Sequence, residues 1–191
     1  MRKLNMNELH RKSVTEFQQA KKTPVVLILD NVRSLHNVGS VFRTADAFLL
    51  EGIFLCGYTG TPPHRDIQKT ALGATETVSW KYFPQTTEAV TYLRAKGYQI
   101  WAVEQADQSI LLQQFRPPGC PVALVFGNEV AGVSDEVLKQ ADGCIEIPQG
   151  GMKHSLNIAV SVGIVTWDLY HKMSIRNPGA CTDPASQKAL S

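Results

Sequence analysis

The residues best suited to chemistry lie in the stretch Ile145–Ile158, where a short apolar strand runs into a glycine-containing loop and then an apolar helix. Glycines lack a Cβ, so the backbone of this loop can approach a ligand closely, although two glycines can also serve turn geometry alone. Ser155 or His154 is expected to be the N-cap of the helix, which would leave backbone N–H groups facing the loop. Such a loop at the carboxyl end of a strand is the usual place for a ligand site in an α/β fold.

In two earlier segments, too, an apolar strand is followed by polar, glycine-containing sequence. Asn37–Ala45 opens a helix soon after the strand Val25–Asp30, and it contains Arg43 among small and polar residues. The apolar strand Ala123–Phe126 breaks at Gly127-Asn128-Glu129, with Gly132 and Ser134 following. Each segment therefore places polar groups directly after a strand, at the edge of the sheet where sites of this fold class form.

Taken in order, Asn37–Ala45, Gly127–Ser134 and Ile147–Asn157 resemble the three signature motifs of the SpoU (TrmH) branch of the SPOUT RNA methyltransferases. The spacing inside each motif also matches, and the resemblance covers about residues 24–171. Gln149 departs from the pattern, because the family usually has methionine there. This departure lies in the loop, where it can alter ligand fit, but it removes no catalytic group.

The resemblance implies methyl transfer from S-adenosyl-L-methionine to a ribose 2′-hydroxyl of tRNA or rRNA. Small stand-alone members of the family tend to act on tRNA, which favours tRNA. The resemblance also implies an α/β fold with a mostly parallel sheet flanked by helices, a C-terminal trefoil knot (the SPOUT fold) and a homodimer through the knot region. The implied cofactor-binding residues are Gly127, Asn128, Ile147, Met152, Ser155, Leu156 and Asn157. The implied catalytic residues are Arg43, Asn37 and Glu129.

Arg43 is the principal catalytic candidate. The apolar residues of its helix are expected to face the core, namely Val38, Val41, Phe42, Ala45, Phe48 and Leu49. A guanidinium has a pKa above ~12, which argues against a simple base. We therefore expect Arg43 to hold an RNA phosphate and stabilise the developing alkoxide, while the proton leaves through phosphate or water. Asn37 is also well placed to cap this helix, and Glu129, paired with an arginine, is expected to organise the loops rather than act as a base.

The charge distribution is uneven along the chain. The net charge is +2, with +4 in residues 1–22, −4 in residues 23–171 and +2 in residues 172–191. Basic ends on an acidic body can help to engage a polyanion, but a solvated helix and a loose tail explain the charge equally well. The candidates for phosphate contacts are Arg33, Arg65, Lys69 and Lys153, each of which could also be an ordinary surface charge.

Length and composition indicate one globular domain. The chain has 191 residues, of which 43% are hydrophobic and 19% charged, and it contains no apolar run of ~20 residues and no apolar signal core. We expect a basic helical extension at 1–22, the catalytic domain at 23–172, a flexible tail at 173–191 and a cytoplasmic location. The four cysteines form no CxxC pair and the five histidines show no metal spacing, so neither a metal nor a membrane is expected.

The apolar patterns predict strands that alternate with helices along the chain. This order is typical of a mostly parallel sheet covered on both faces. Strands are predicted at 25–30, 53–57, 77–82, 99–104, 121–126 and 144–147. Helices are predicted at 4–20, 38–49, 66–72, 86–96, 134–141 and 155–172. The last of these helices is apolar around most of its circumference, which predicts burial on more than one side.

Two other functions stay open at this point. A non-catalytic RNA-binding relative could keep the fold, although the joint presence of Arg43, Asn128, Glu129, Ser155 and Asn157 argues against it. An unrelated nucleotide-dependent enzyme is weakly supported, because the first strand is not followed by G-x-G-x-x-G and the chain has no P-loop lysine pattern.

Overall fold

A computed structural model describes residues 1–9, 12–153 and 155–176 of the chain. Its centre is a parallel sheet of seven strands in the order β3-β2-β1-β6-β4-β7-β5. The strands are β1 (Thr23–Asp30), β2 (Leu50–Cys56), β3 (Trp80–Phe83), β4 (Gln99–Val103), β5 (Ile110–Leu111), β6 (Val122–Phe126) and β7 (Gly143–Glu146). The central strands β1 and β6 are almost wholly buried, as parallel strands covered on both faces must be.

Helices cover both faces of this sheet. They are α1 (Val14–Gln19), α2 (Leu35–Ala47), α3 (Arg65–Ala71), α4 (Ala74–Thr77), α5 (Thr86–Arg94), α6 (Asp135–Leu138) and α7 (Ile158–Arg176). One apolar core joins the sheet to α2, α3, α4 and α7, and the other joins it to α5 and α6. The predicted α/β architecture is therefore confirmed, and the strands described here are all parallel.

The chain segments that follow the paired strands β1 and β6 run in opposite directions across the sheet. From β1 the chain moves outward through β2 and β3, and it then crosses to β4 on the far side of β6. Such a reversal of strand order leaves a crevice outside the carboxyl ends of the two strands, where ligands bind in open α/β sheets. The loops 31–34 and 127–134 lie at this crevice.

Several predicted element bounds were wrong for local reasons. The predicted N-terminal helix 4–20 is instead a 3₁₀ turn at Met6–Leu9 followed by α1, because Ser13 caps α1 in a capping box with Glu16. Residues 74–77 form a helix, so the third strand begins at Trp80. The two-residue strand β5 was not predicted, since two residues carry no periodicity.

The last helix has two different faces. Ile158, Val162, Val165 and Leu169 are buried against the core. Val160, Ile164 and Trp167 are 50%, 38% and 57% exposed and follow one another at helical spacing. The prediction that this helix is buried on more than one side does not hold within the single chain, which leaves an apolar stripe (Val160, Ile164 and Trp167) in solvent.

Buried cysteines were predicted correctly in two strands. Cys56 and Cys144 are 0% and 8% exposed, and burial raises the pKa of both thiols, that of Cys56 to about 12. Both side chains therefore act as small apolar groups. None of the helices in the described part of the chain is long and apolar enough to cross a membrane.

Candidate active site

The loop after β1 and the loop after β6 are joined by one carboxylate. Glu129 accepts hydrogen bonds from the backbone N–H groups of Arg33 and Ser34, both at 3.1 Å, and from the Asn37 amide at 3.2 Å. Burial raises the pKa of the Glu129 carboxyl, but backbone N–H groups and the Asn37 amide outweigh burial and hold that pKa below its ordinary value. This geometry suits the organising role expected for Glu129, with the Arg33 backbone as its partner instead of an arginine side chain.

Asn128 holds the same junction through both ends of its amide. Its Nδ2 donates to the carbonyl of Asn31 at 2.7 Å, and its Oδ1 accepts from the N–H groups of Val130 and Ala131 at 2.8 and 3.2 Å. The side chain therefore ties the loop after β6 to the loop after β1 and also shapes its own turn. Cofactor binding by Asn128 stays a prediction.

Gly127 is needed by the packing of its own loop. A Cβ at this position would lie 2.0 Å from the carbonyl carbon of Gly132 and 2.1 Å from the nitrogen of Val133. The backbones of Asn128 and Gly132 exchange two hydrogen bonds of 2.9 Å, which draws the strands of the turn together. Turn geometry alone therefore accounts for glycine at 127, whatever it contributes to a ligand.

A buried carboxylate at the end of β1 supports this junction, and sequence reasoning missed it. Asp30 is 2% exposed and accepts hydrogen bonds from Asn31 at 2.8 Å, Thr86 at 2.6 Å, and the Ser134 N–H and hydroxyl at 3.0 and 2.9 Å. These bonds connect β1 to the starts of α5 and α6. The only signal in the sequence was an acidic residue ending an otherwise apolar strand.

Asn37 joins the third motif to the first two. Its Oδ1 accepts a hydrogen bond from the Nδ2 of Asn157 at 3.2 Å, while its own Nδ2 donates to Glu129.

Both predicted helix caps at this site were wrong. Ser34 caps α2 by accepting from the Asn37 N–H, and Asn157 precedes α7, accepting from the Ala159 N–H at 2.9 Å. Ser155 thus lies before the helix, and the other proposed cap, His154, lies outside the described residues.

Arg43 opens onto a cleft of about 550 Å³ between α2, α3 and α7. Its side chain is exposed on α2, opposite the buried Val38, Val41 and Phe42, as the helical pattern predicted. The residues lining the cleft combine cations, hydroxyls and a few apolar groups: Ser40, Arg43, Thr44, Ala47, Phe48, Lys69, Thr70 and Gly163. The three hydroxyls donate to backbone carbonyls, so the two cations are the groups that suit a phosphate-bearing ligand.

The loop after β7 differs from the other two because it is open. Met152 and Leu156 are 83% and 39% exposed, and Ser155 is exposed as well. A Cβ on Gly150 or Gly151 would meet no atom within 4 Å. Ile147, at the start of the loop, is half-buried and packs against the core. The loop therefore offers exposed backbone and apolar side chains for contact with a ligand.

The four cations predicted to contact phosphate are all exposed, but they do not form one cluster. Arg33 lies in the loop after β1, and Lys153 lies in the loop after β7. Arg65 and Lys69 are on α3, where Lys69 pairs with Asp66 at 2.8 Å and lines the Arg43 cleft. Among the described residues, no group of three or more histidine, cysteine, aspartate or glutamate side chains could hold a metal ion.

The structure thus brings Asn37, Glu129 and Asn157 into one hydrogen-bonded chain, with Arg43 on the same helix as Asn37. Sequence reasoning missed Thr44, Thr70 and the buried Asp30. The spacing of Ser40, Arg43, Thr44 and Ala47 along one side of α2 could have indicated the cleft wall, whereas the contribution of α3 depends on tertiary packing.

Comparisons with known proteins agree with this architecture. A tRNA (guanosine(18)-2′-O)-methyltransferase of Thermus thermophilus is 29% identical over 163 residues, covering 84% of this chain and 81% of the relative. The 23S rRNA (guanosine-2′-O-)-methyltransferase RlmB of Neisseria meningitidis is 30% identical over 173 residues, covering 90% of this chain and 67% of the relative.

A solved structure and a family model extend the comparison to the fold. The AdoMet-bound rRNA methyltransferase of Sinorhizobium meliloti superposes with a TM-score of 0.74 at 30% identity, covering 81% of this chain and 57% of that one. The model of the SpoU rRNA Methylase family matches residues 24–167, which include all three motifs and the cleft. The chain therefore belongs to the SpoU rRNA Methylase family.

Proposed function

We propose that this protein transfers a methyl group from S-adenosyl-L-methionine to a ribose 2′-hydroxyl of RNA. The observation that carries the proposal is the hydrogen-bonded chain Glu129–Asn37–Asn157, which unites the three motif segments at one edge of the sheet. The exposed Arg43 stands on the same helix, facing a cleft with hydroxyl groups and a second cation. Relatives of this chain are named as 2′-O-methyltransferases of tRNA and of rRNA.

The loop after β7 fits an adenosyl cofactor. Open space at Gly150 and Gly151 lets a ligand approach the backbone, and the exposed Met152 and Leu156 offer apolar walls. Ser155 and Asn157 can add polar contacts at the end of the loop, and Gly127 and Ile147, directly after β6 and β7, are further proposed contacts. When bound, S-adenosyl-L-methionine supplies an electrophilic methyl group attached to a positively charged sulfur.

Arg43 serves the substrate side of the reaction. Its guanidinium carries five N–H donors in a planar fork, so it holds a phosphate oxygen and stabilises negative charge on the 2′-oxygen. The hydroxyl proton then leaves to phosphate or water. Asn37 and Glu129 keep α2 in register with the loop after β6, and this alignment fixes the direction from which the 2′-oxygen approaches.

The substrate we favour is tRNA. The relative named as a tRNA methyltransferase is matched over 81% of its length, and the relative named as a 23S rRNA methyltransferase over 67%. Arg33, Arg65, Lys69 and Lys153 lie on exposed loops or on α3, where they can contact phosphates without reading sequence. Activity on tRNA or rRNA would place the protein in the cytoplasm.

A homodimer completes the proposal, because α7 leaves an apolar stripe uncovered. Val160, Ile164 and Trp167 occupy one side of this helix, and Trp167 stacks on His171 with ring centroids 5.5 Å apart. A second copy of the chain would bury this stripe, and we propose that α7 forms the dimer interface together with the trefoil knot of its family. Size-exclusion chromatography of Trp167→Glu against the wild type tests this interface, since the charge should shift the protein to the monomer.

The reaction is tested with purified protein, methyl-labelled S-adenosyl-L-methionine and total RNA lacking its own modifications. Nuclease digestion and mass spectrometry then locate the label. Label on a ribose 2′-oxygen supports the proposal, and the labelled fragment names the RNA. If the protein binds the cofactor but labels no RNA, a substrate or partner is missing from the assay. If the protein neither labels RNA nor binds the cofactor, the proposal is refuted in favour of a non-catalytic RNA-binding relative.

A further inference from the structure

Two tyrosine rings stand in solvent at the carboxyl edge of the sheet. Tyr58, directly after β2, is 85% exposed, and Tyr82 in the edge strand β3 is 48% exposed. The Tyr82 hydroxyl donates to the carbonyl of Gly57 at 3.2 Å, so Tyr82 lies beside the residue that precedes Tyr58. Large aromatic side chains are usually buried because each removes much apolar area from water, and an exposed pair therefore indicates a binding surface.

The backbone beneath Tyr58 is held firmly although its ring is free of the core. The Tyr58 N–H donates to the Oδ1 of Asn31 at 3.0 Å. Next to it, the buried hydroxyl of Thr59 donates to the carbonyl of Leu29 and accepts from the N–H of Val32, both at 3.0 Å. Gly57 completes this base, because a Cβ there would lie 2.1 Å from the Asn31 Oδ1. The ring is thus presented from a rigid loop.

The same contacts place this surface beside the candidate active site. Asn31, which binds the Tyr58 backbone, also accepts the hydrogen bond from Asn128 at 2.7 Å. Tyr82 pairs with Leu55, whose side chain lies in the core shared with α2 and α3. Tyr82 is therefore on the face of the sheet that carries Arg43 and Lys69, and it is separated by the sheet from α5.

We propose that Tyr58 and Tyr82 form a stacking platform for an unpaired base of the substrate RNA, next to the nucleotide that is methylated. This inference rests on the proposed function. Aromatic faces stack on bases of any identity, and single-stranded loops are the RNA elements whose bases can be splayed out to reach them. The cations Arg65 and Lys69 on α3 supply the complementary charge for the adjoining phosphates.

The test compares Tyr58→Ala with Tyr58→Phe, which keeps the ring, and with Ile110→Ala, a 38% exposed apolar residue at the opposite edge of the sheet. The probes are a short single-stranded RNA containing 2-aminopurine and a duplex of the same sequence. We expect Tyr58→Ala to weaken single-strand binding by about 5- to 150-fold, since stacking contributes ~1–3 kcal/mol per base. Fluorescence quenching should be lost in Tyr58→Ala and kept in Tyr58→Phe and Ile110→Ala. The duplex should bind all of these proteins with the same affinity.

Unchanged single-strand affinity of Tyr58→Ala would overturn the platform, and so would equal losses in Tyr58→Ala and Tyr58→Phe. A shift of Tyr58→Ala toward the monomer with unaltered RNA affinity would instead assign the ring to a protein interface, which also overturns it. The KM for the RNA fragment labelled by the wild type should rise in parallel with the Kd. If the wild type neither labels RNA nor binds the cofactor, the proposed function fails separately, because the fluorescence result does not depend on methyl transfer.

Discussion

Two neighbouring loops at the carboxyl edge of the sheet are built in opposite ways. The loop 127–134 is held at almost every step, through Asn128, Glu129 and the buried Asp30 that binds Ser134. The loop 147–157 lies exposed for most of its length and is tied to the rest of the site through Asn157. One loop is assembled before any ligand arrives, whereas the other leaves its backbone and side chains open.

The contrast divides the proposed reaction between the two loops. In the proposed reaction, α2 positions the RNA hydroxyl, and the loop 127–134 holds α2 through the bond between Glu129 and Asn37. Rigid support of this kind contributes to catalysis because misplacement by a fraction of an ångström is costly. We propose that most cofactor contacts fall to the open loop, whose residues before Asn157 can adapt to the ligand. Substitutions in the two regions should therefore have separable effects.

The largest expected effect is on turnover, from Arg43→Lys. A lysine keeps the charge but loses the planar fork of donors, so kcat should fall by about 10²- to 10³-fold. Affinity for S-adenosyl-L-methionine, measured by calorimetry, should stay at the wild-type value, because Arg43 lies on α2 and outside the loop 147–157. Arg94→Lys is the matched control, since Arg94 pairs with Asp142 at 3.0 Å on the other face of the sheet. Turnover of Arg43→Lys at the wild-type level would remove Arg43 from the mechanism.

A pair of glycine substitutions tests the difference between the two loops. Gly127→Ala should lower the free energy of unfolding by ~1–3 kcal/mol, because its Cβ overlaps the backbone of Gly132 and Val133. Gly151→Ala meets open space and should change that free energy by less than about 0.5 kcal/mol. Gly151→Ala should instead weaken cofactor binding.

Denaturant titrations and cofactor calorimetry on both glycine variants measure these outcomes. Equal destabilisation by Gly127→Ala and Gly151→Ala would show that the open loop is packed in solution, and the contrast between the two loops would then be lost.

A smaller effect is expected for the cations around the cleft. Lys69→Gln removes one phosphate contact, so the slope of log K against log salt for RNA should become shallower by about one unit. The loss at any one salt concentration should be modest, since Lys69 already shares its charge with Asp66. Lys139→Gln, at the end of α6, is the control of equal charge. An unchanged slope in Lys69→Gln would count against RNA entering on this side.

The fold was more accessible from the sequence than the site. Apolar runs such as Val122–Phe126 predict buried parallel strands, because burial on both faces leaves an uninterrupted apolar pattern. Caps were less predictable, because Ser34 and Asn37 are both good capping residues one turn apart, and the chain entering α2 decides between them. The site depends on bonds across long stretches of sequence, such as those from Glu129 to the Arg33 backbone. A residue type cannot reveal which distant N–H it will accept from.

The smallest expected effect is a change of stability with pH. It tests whether Glu129 holds the loop 127–134 through its charge. Its folded pKa lies below the unfolded value of about 4.3. The carboxylate therefore stabilises the fold in full above that value, and the stabilisation is lost as the pH falls through the folded pKa. Glu129→Gln should be less stable than the wild type at neutral pH, and denaturant titrations should show this gap closing as the wild-type carboxyl becomes protonated. A gap that stays constant into acid would mean that shape, and not charge, joins the two loops.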